Sequence, residues 1–107
     1  MNASGKRLHL RRPFTRFYLD RRGDLILHCR SRETWLRVRS PLGRRIWEEL
    51  ARPTGLEELI RLAQAQFPGT DRRRIREDVA SFLSRLEAAG MVEVSTEARS
   101  FPRETAS

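Results

Sequence analysis

An α+β fold, three antiparallel strands followed by three helices, is what this sequence predicts, and three observations carry the prediction. Up to Ser40 the apolar residues alternate, and beyond it they recur at helical spacing. Polar turn clusters at residues 20–24 and 30–33 divide the first part into short extended segments. Helix-start signals stand at Ser40-Pro41, Thr54 and Asp71 in the second part.

In chain order, Met1 to Arg7 is small, polar and basic and reads as a disordered arm. The first strand comes from either Leu8–Leu10 or Phe14–Leu19, with Pro13 between them. Asp20-Arg21-Arg22-Gly23-Asp24 is a turn, Leu25–Cys29 the second strand, and Arg30–Glu33 a second polar turn. Thr34–Ser40 is the third strand, with Leu36 and Val38 on one face and Trp35, Arg37 and Arg39 on the other. Short connections make this a meander.

Ser40 then serves as N-cap and Pro41 as first helical residue, because proline lacks only an N–H that has no partner there. The first helix runs to about Ala51, with Ile46, Trp47 and Leu50 on its apolar face. Thr54 and Glu57 form a capping box for a second helix, whose buried face is Leu56, Leu59, Ile60, Ala63 and Phe67. Pro68-Gly69-Thr70 ends it, and Asp71 caps a third helix reaching Ala89, with Gly90 at C′. Ile75, Val79, Phe82, Leu83 and Leu86 form one stripe along that helix, each contributing ~1.5–3 kcal/mol when buried. Met91–Val94 adds a short terminal strand, and residues 95–107 have the composition of a disordered tail. Residues 8–94 thus make one domain with the element order of a winged helix.

The 107 residues, 38% hydrophobic, suffice for one modest core. The single cysteine, Cys29, excludes an internal disulfide and points to a reducing cytoplasm. No run approaches the ~18 apolar residues of a membrane span, and the basic start has no apolar segment after it. The net charge of +8 is unevenly placed. Residues 1–40 hold eleven Lys/Arg against three Asp/Glu, whereas residues 41–107 hold eleven of each. The excess belongs to the strands.

Catalytic patterns are missing from the sequence. His9, His28 and Cys29 have no metal-ligand spacing, and Cys29 reads as a small buried hydrophobe. Gly43 stands alone, so there is no phosphate-binding loop, and adjacent carboxylates such as Glu48-Glu49 point apart on their helix. A non-enzyme with no cofactor or metal is expected.

Three stretches carry a family resemblance: SPLGRRIWEEL at the first helix, TGLEELIRLAQAQFPG at the second and RIREDVASFLSRLEAAGMVEV at the third. Together, in order and spacing, they resemble the PqqD-like family of RiPP precursor peptide recognition elements over roughly Leu25 to Val94. The family's usual asparagine before the first helix is Ser40 here, and its frequent glycine in the second turn is replaced by Arg30-Ser31-Arg32-Glu33. The resemblance implies a protein that binds the leader segment of a ribosomally made precursor peptide for separate maturation enzymes. These enzymes are a lasso-type leader peptidase, our first choice, or a radical-SAM enzyme of quinone-cofactor maturation. It implies that the leader adds as a strand to the third strand, beside the third helix. Carried onto this chain, the strand edge is Thr34, Trp35, Leu36, Arg37, Val38 and Arg39. The helix wall is Arg74, Asp78, Ser81, Phe82 and Arg85.

The residues themselves support an open edge, since the third strand leads straight into a helix and has no obvious partner on its far side. Two readings of Arg37 and Arg39 stand side by side: peptide contacts, or charges that protect the edge. The rival function is a DNA-binding winged helix-turn-helix, suggested by Arg72-Arg73-Arg74-Ile75-Arg76 at the start of the third helix. Asp71, Glu77 and Asp78 in the same two turns, and the neutral second half of the chain, oppose it.

Overall fold

The computed structural model describes residues 7–13 and 15–95. The order is β1 (Leu8–Arg11), β2 (Thr15–Leu19), β3 (Leu25–Cys29), β4 (Thr34–Val38), α1 (Pro41–Glu49), β5 (Thr54–Gly55), α2 (Leu56–Gln66), α3 (Arg72–Ala88) and β6 (Val92–Ser95). The fold is α+β, with three helices as expected and two small antiparallel sheets rather than one. Both candidate first strands form, and they join different sheets. β2, β3 and β4 make the expected meander, while β1 lies between β5 and β6.

The expected arm and tail, residues 1–7 and 95–107, lie outside the described residues except for Arg7 and Ser95. Ser95 closes β6, opposite Leu8. β1 therefore ties the start of the domain to its end. It is held to the helices as well, through Arg11 N–H on the Leu50 carbonyl and Arg12 N–H on the Met91 carbonyl, both at 2.9 Å. No helix among the described residues is long and apolar enough to cross a membrane.

Leu25, Leu27 and Cys29 point from β3 into the helices, where Ile46, Trp47 and Leu50 of the α1 segment meet them. Leu59, Ile60 and Ala63 of α2 close the core with the whole five-residue stripe of α3. Phe67 is a correction. It stands one residue past α2 with its backbone turned out of helical geometry, and its side chain is 45% exposed.

The capping signals fare unequally. Ser40 Oγ accepts the Gly43 N–H at 2.9 Å, as an N-cap should. At α2 the box moves one residue along: the Gly55 N–H donates to Glu58 Oε1 at 2.8 Å. Thr54 is unavailable because its hydroxyl is directed at the carbonyls of Arg52 (2.7 Å) and Glu49 (3.0 Å) behind it. Asp71 occupies the N-cap of α3 without a side-chain bond. At the other end α3 closes in a Schellman motif: Gly90 N–H to Glu87 O at 3.0 Å and Met91 N–H to Leu86 O at 2.9 Å. Gly90 has φ +79°, the left-handed geometry that this motif requires.

The β3–β4 turn shows what replaced the missing glycine. Glu33 itself takes φ +55°, with its N–H on the Arg30 carbonyl at 3.2 Å. A non-glycine residue there costs about 1 kcal/mol, which the hairpin must over-determine. Contacts to α3 do so, and they belong to the site.

Candidate functional site

β4 pairs with β3 along its whole length, from Thr34↔Cys29 to Val38↔Leu25. Its outer edge has no strand partner among the described residues. The position of that edge is fixed at both ends. Near the turn, Thr34 Oγ1 donates to the Ala89 carbonyl at 2.6 Å and Arg32 Nη1 to the Ala88 carbonyl at 3.3 Å. The buried Cys29 thiol reaches the Gly90 carbonyl at 3.5 Å. At the far end Val38 meets α1 and Phe82. A Cβ built on Gly43 would lie 2.5 Å from Val38 Cγ1 and 3.6 Å from Phe82 Cζ. Only glycine lets α1 approach the strand this closely. Thr34 is thus tied to the residue after α3, while Val38 and Phe82 both approach Gly43 of α1.

A groove of about 630 Å³ opens where this arrangement meets α1, and α3 forms one wall. Arg74, Asp78, Ser81, Phe82 and Arg85 all line it. The structure thus brings together the five wall residues inferred from the sequence. Phe82 is only 7% exposed, a core residue whose rim shows in the groove, and the Arg85 guanidinium sits 5.8 Å from its ring centre. Arg74 and Asp78 face each other across one helical turn at 3.9 Å, both largely in solvent. A pair like that is worth little to stability and is easily rearranged.

The opposite wall was missed from the sequence: Leu42 and Ile46 from α1, with Phe67 and Thr70 from the turn after α2. Phe67 had the right spacing for the α2 stripe. The Pro68-Gly69 that follows was the signal that the helix ends there, freeing Phe67 to face the groove.

The strand residues divide. Leu36 and Val38 point to the helical side, Val38 only 4% exposed and Leu36 partly covered by the core. Trp35, Arg37 and Arg39 belong to the other face, and none of the six residues from Thr34 to Arg39 lines the groove, which begins at Ser40. Trp35 is 58% exposed and stacks on His28 across the strands, rings 3.8 Å apart and within 9° of parallel. Arg37 binds Asp20, and Asp24 at 3.0 Å, in the β2–β3 turn; Arg39 Nε stands 3.8 Å from Asp24. Partial desolvation alone would raise the Asp20 pKa, but the Arg37 hydrogen bond and the N–H groups of Asp24 and Arg22 together hold it below the usual carboxylate range. These two arginines are already engaged within the sheet. The edge therefore offers backbone groups, with Thr34 at one end.

The arginines at the start of α3 are also engaged. Arg76 and Arg72 both hold Glu57, at 2.7 and 2.8 Å, and Arg73 lies 3.7 Å from Glu77. Together with the Arg74–Asp78 pair, every arginine of that cluster has a carboxylate beside it. The Arg76 hydrogen bond is the main reason that Glu57 titrates below its ordinary range, and Arg72 adds to it. Glu57 therefore remains a counter-charge throughout the neutral range.

Comparison with known proteins gives one match. The family model described as coenzyme PQQ synthesis protein D (PqqD) covers residues 39–92, from the end of β4 to the start of β6. No curated protein matches. No solved structure matches. The matched span is half of the 107 residues and holds α1, α2, α3 and the entire groove. Members of that family are non-catalytic accessory proteins that bind precursor peptides and work with separate maturation enzymes. With its groove and open strand edge inside or bordering the matched span, this chain belongs to the PqqD family, the RiPP precursor peptide recognition elements.

Proposed function

We propose that the protein binds the leader of a precursor peptide by adding it as a strand to the outer edge of β4, alongside α3. The observation that carries this reading is the unpartnered β4 edge, tied at Thr34 to the end of α3, with a groove lined by Phe82, Arg85 and Asp78 between α3 and α1. Backbone groups of β4 supply affinity that any extended peptide can use. The groove supplies selection: an apolar floor from Phe82 and Ile46, and charges of both signs from Arg74, Asp78 and Arg85.

The leader is then presented to a maturation enzyme, which we take to be the leader peptidase of a lasso-type pathway ahead of a radical-SAM enzyme. The DNA-binding alternative loses its main support, because each of the four arginines at the start of α3 has Glu57, Glu77 or Asp78 beside it. A carboxylate beside each cation would repel the phosphate backbone.

The test is a titration with labelled leaders of lasso-type and quinone-type precursors, and with mixed-sequence duplex DNA, at low and moderate salt. Saturable binding of one leader class that survives the added salt is expected, while any DNA binding fades steeply. Tight DNA binding without leader affinity would reverse the assignment.

A further inference from the structure

The sheet has a second open edge. β2 pairs only with β3, so among the described residues its outer side is unpartnered. Phe17 and Leu19 on one face of the strand and Tyr18 on the other are each about half exposed, at 49%, 53% and 51%. Phe17 meets the Trp47 ring edge-on at 5.8 Å, and a shallow groove of about 500 Å³ runs from Phe17 and Leu19 to Arg44 and Glu48 of α1. An open, apolar strand edge invites pairing, and proteins ordinarily blunt such edges. Beside the β4 edge, Arg37 and Arg39 are bound to Asp20 and Asp24 within the sheet. β2 has no such arrangement.

Five arginines of the first forty residues lie around this edge and its two ends. Arg16 is on β2, Arg12 and Arg30 line the hollow at its start, and Arg21 and Arg22 occupy the turn at its end. None of the five makes an ion pair among the described residues. Glu33 and Glu93 share the hollow with Arg12, Arg16 and Arg30 without pairing to them. The helical arginines near carboxylates are neutralised, whereas these are not.

We infer that the β2 edge is a docking site for an acidic, extended segment of a protein partner, with carboxylates for Arg16 and its neighbours and apolar side chains for Phe17 and Leu19. Two other occupants fit less well. A second copy paired antiparallel about Phe17 would bring the Arg21–Arg22 turn of each protomer onto the Arg12 and Arg30 end of the other. Nucleic acid would satisfy the arginines but not the alternating N–H and C=O groups of the strand, nor the apolar groove. The assignment deepens the proposed function and rests on it only for who supplies the segment, a maturation enzyme. β2 and β4 lie on opposite sides of β3, about 9.5 Å apart, so partner and leader can be held together.

The test uses the full chain in solution, with backbone amide shifts followed during titration with a capped peptide of alternating glutamate and valine. Lysine–valine peptide and duplex DNA are controls, and a leader peptide is titrated separately. Shifts confined to Thr15–Leu19 and the flanking arginines are expected with the acidic peptide, unchanged when leader is present. Arg16→Glu and Arg30→Glu, both at exposed positions, should each weaken it about tenfold with unaltered melting. Several results would overturn the inference: no shifts on β2, an equal response to the lysine peptide, tighter occupation of the same residues by DNA, or a β2-mediated homodimer in sedimentation. Leader shifts on β4 in the same samples report the proposed function separately, so failure of one reading is distinguishable from failure of the other.

Discussion

Proline substitutions along β4 are expected to sort into two alternating classes. Side chains alternate along a strand, and so do its backbone N–H groups: residues 35 and 37 present theirs to one side, residues 34, 36 and 38 to the other. One set pairs with β3, opposite His28 and Ile26 or opposite Cys29, Leu27 and Leu25, and the other faces out. Proline in the inward set removes a ladder hydrogen bond and lowers stability. Proline in the outward set leaves the ladder intact and removes a donor from the docking edge, weakening leader binding by about tenfold or more. Trp35 and Arg37, with exposed side chains, and the partly covered Leu36 are the informative positions. Val38 and Thr34 are confounded, the first by burial and the second by its bond to Ala89. Binding and melting measured on each variant check the alternation; uniform loss of both, or binding untouched at every folded position, contradicts it.

The largest effect on stability is expected at Trp47. It is 1% exposed, the largest fully buried side chain, and it joins the helical core to the sheet through Phe17. The Arg11 guanidinium, 5.2 Å from its ring centre and 4.8 Å from that of Phe17, holds β1 to the same point. Trp47→Ala should cost about 3–5 kcal/mol, because the cavity left between sheet and helices cannot close without moving β2 and α1 together. In a domain with about twice that total stability, such a loss lowers the melting temperature by tens of degrees. Trp47→Phe should cost much less. It keeps most of the apolar surface and removes an indole N–H that is buried without a hydrogen-bond partner. Thermal and denaturant unfolding of the two variants decides the point.

The parts of this fold that were legible in the sequence are those where local signals act alone. The five-residue stripe of α3, the Ser40 cap and the Gly90 terminus depend on spacing and backbone chemistry within a few residues, and each appears where expected. What was not legible depended on distant partners. β1 and β2 both looked like the first strand, and only pairing with β5 and β6 separates them. Thr54 looked like a cap until the carbonyls of Glu49 and Arg52 claimed its hydroxyl. Phe67 fitted the α2 stripe by number, but the helix ended before it could be buried.

The candidate site divides on the same line. The α3 wall was read from the family resemblance onto residues beside the core stripe, and Arg74, Asp78, Ser81, Phe82 and Arg85 do line one groove. The α1 wall required knowing how closely that helix approaches β4, which Gly43 determines and no periodicity reveals. Arg37 and Arg39 were assigned by strand position alone, and their engagement by Asp20 and Asp24 depends on a turn more than ten residues away.

The central claim is strand addition at β4, and backbone amide hydrogen exchange with and without leader peptide tests it most directly. Docking should slow exchange at alternate residues within Thr34–Val38, with slowing also at Phe82 and Arg85 where the groove closes. The exchange of Thr15–Leu19 on the opposite edge should stay as it was. Protection at the start of α3 around Arg72–Arg76, with β4 unchanged, would contradict strand addition and place the ligand on the other end of the helix.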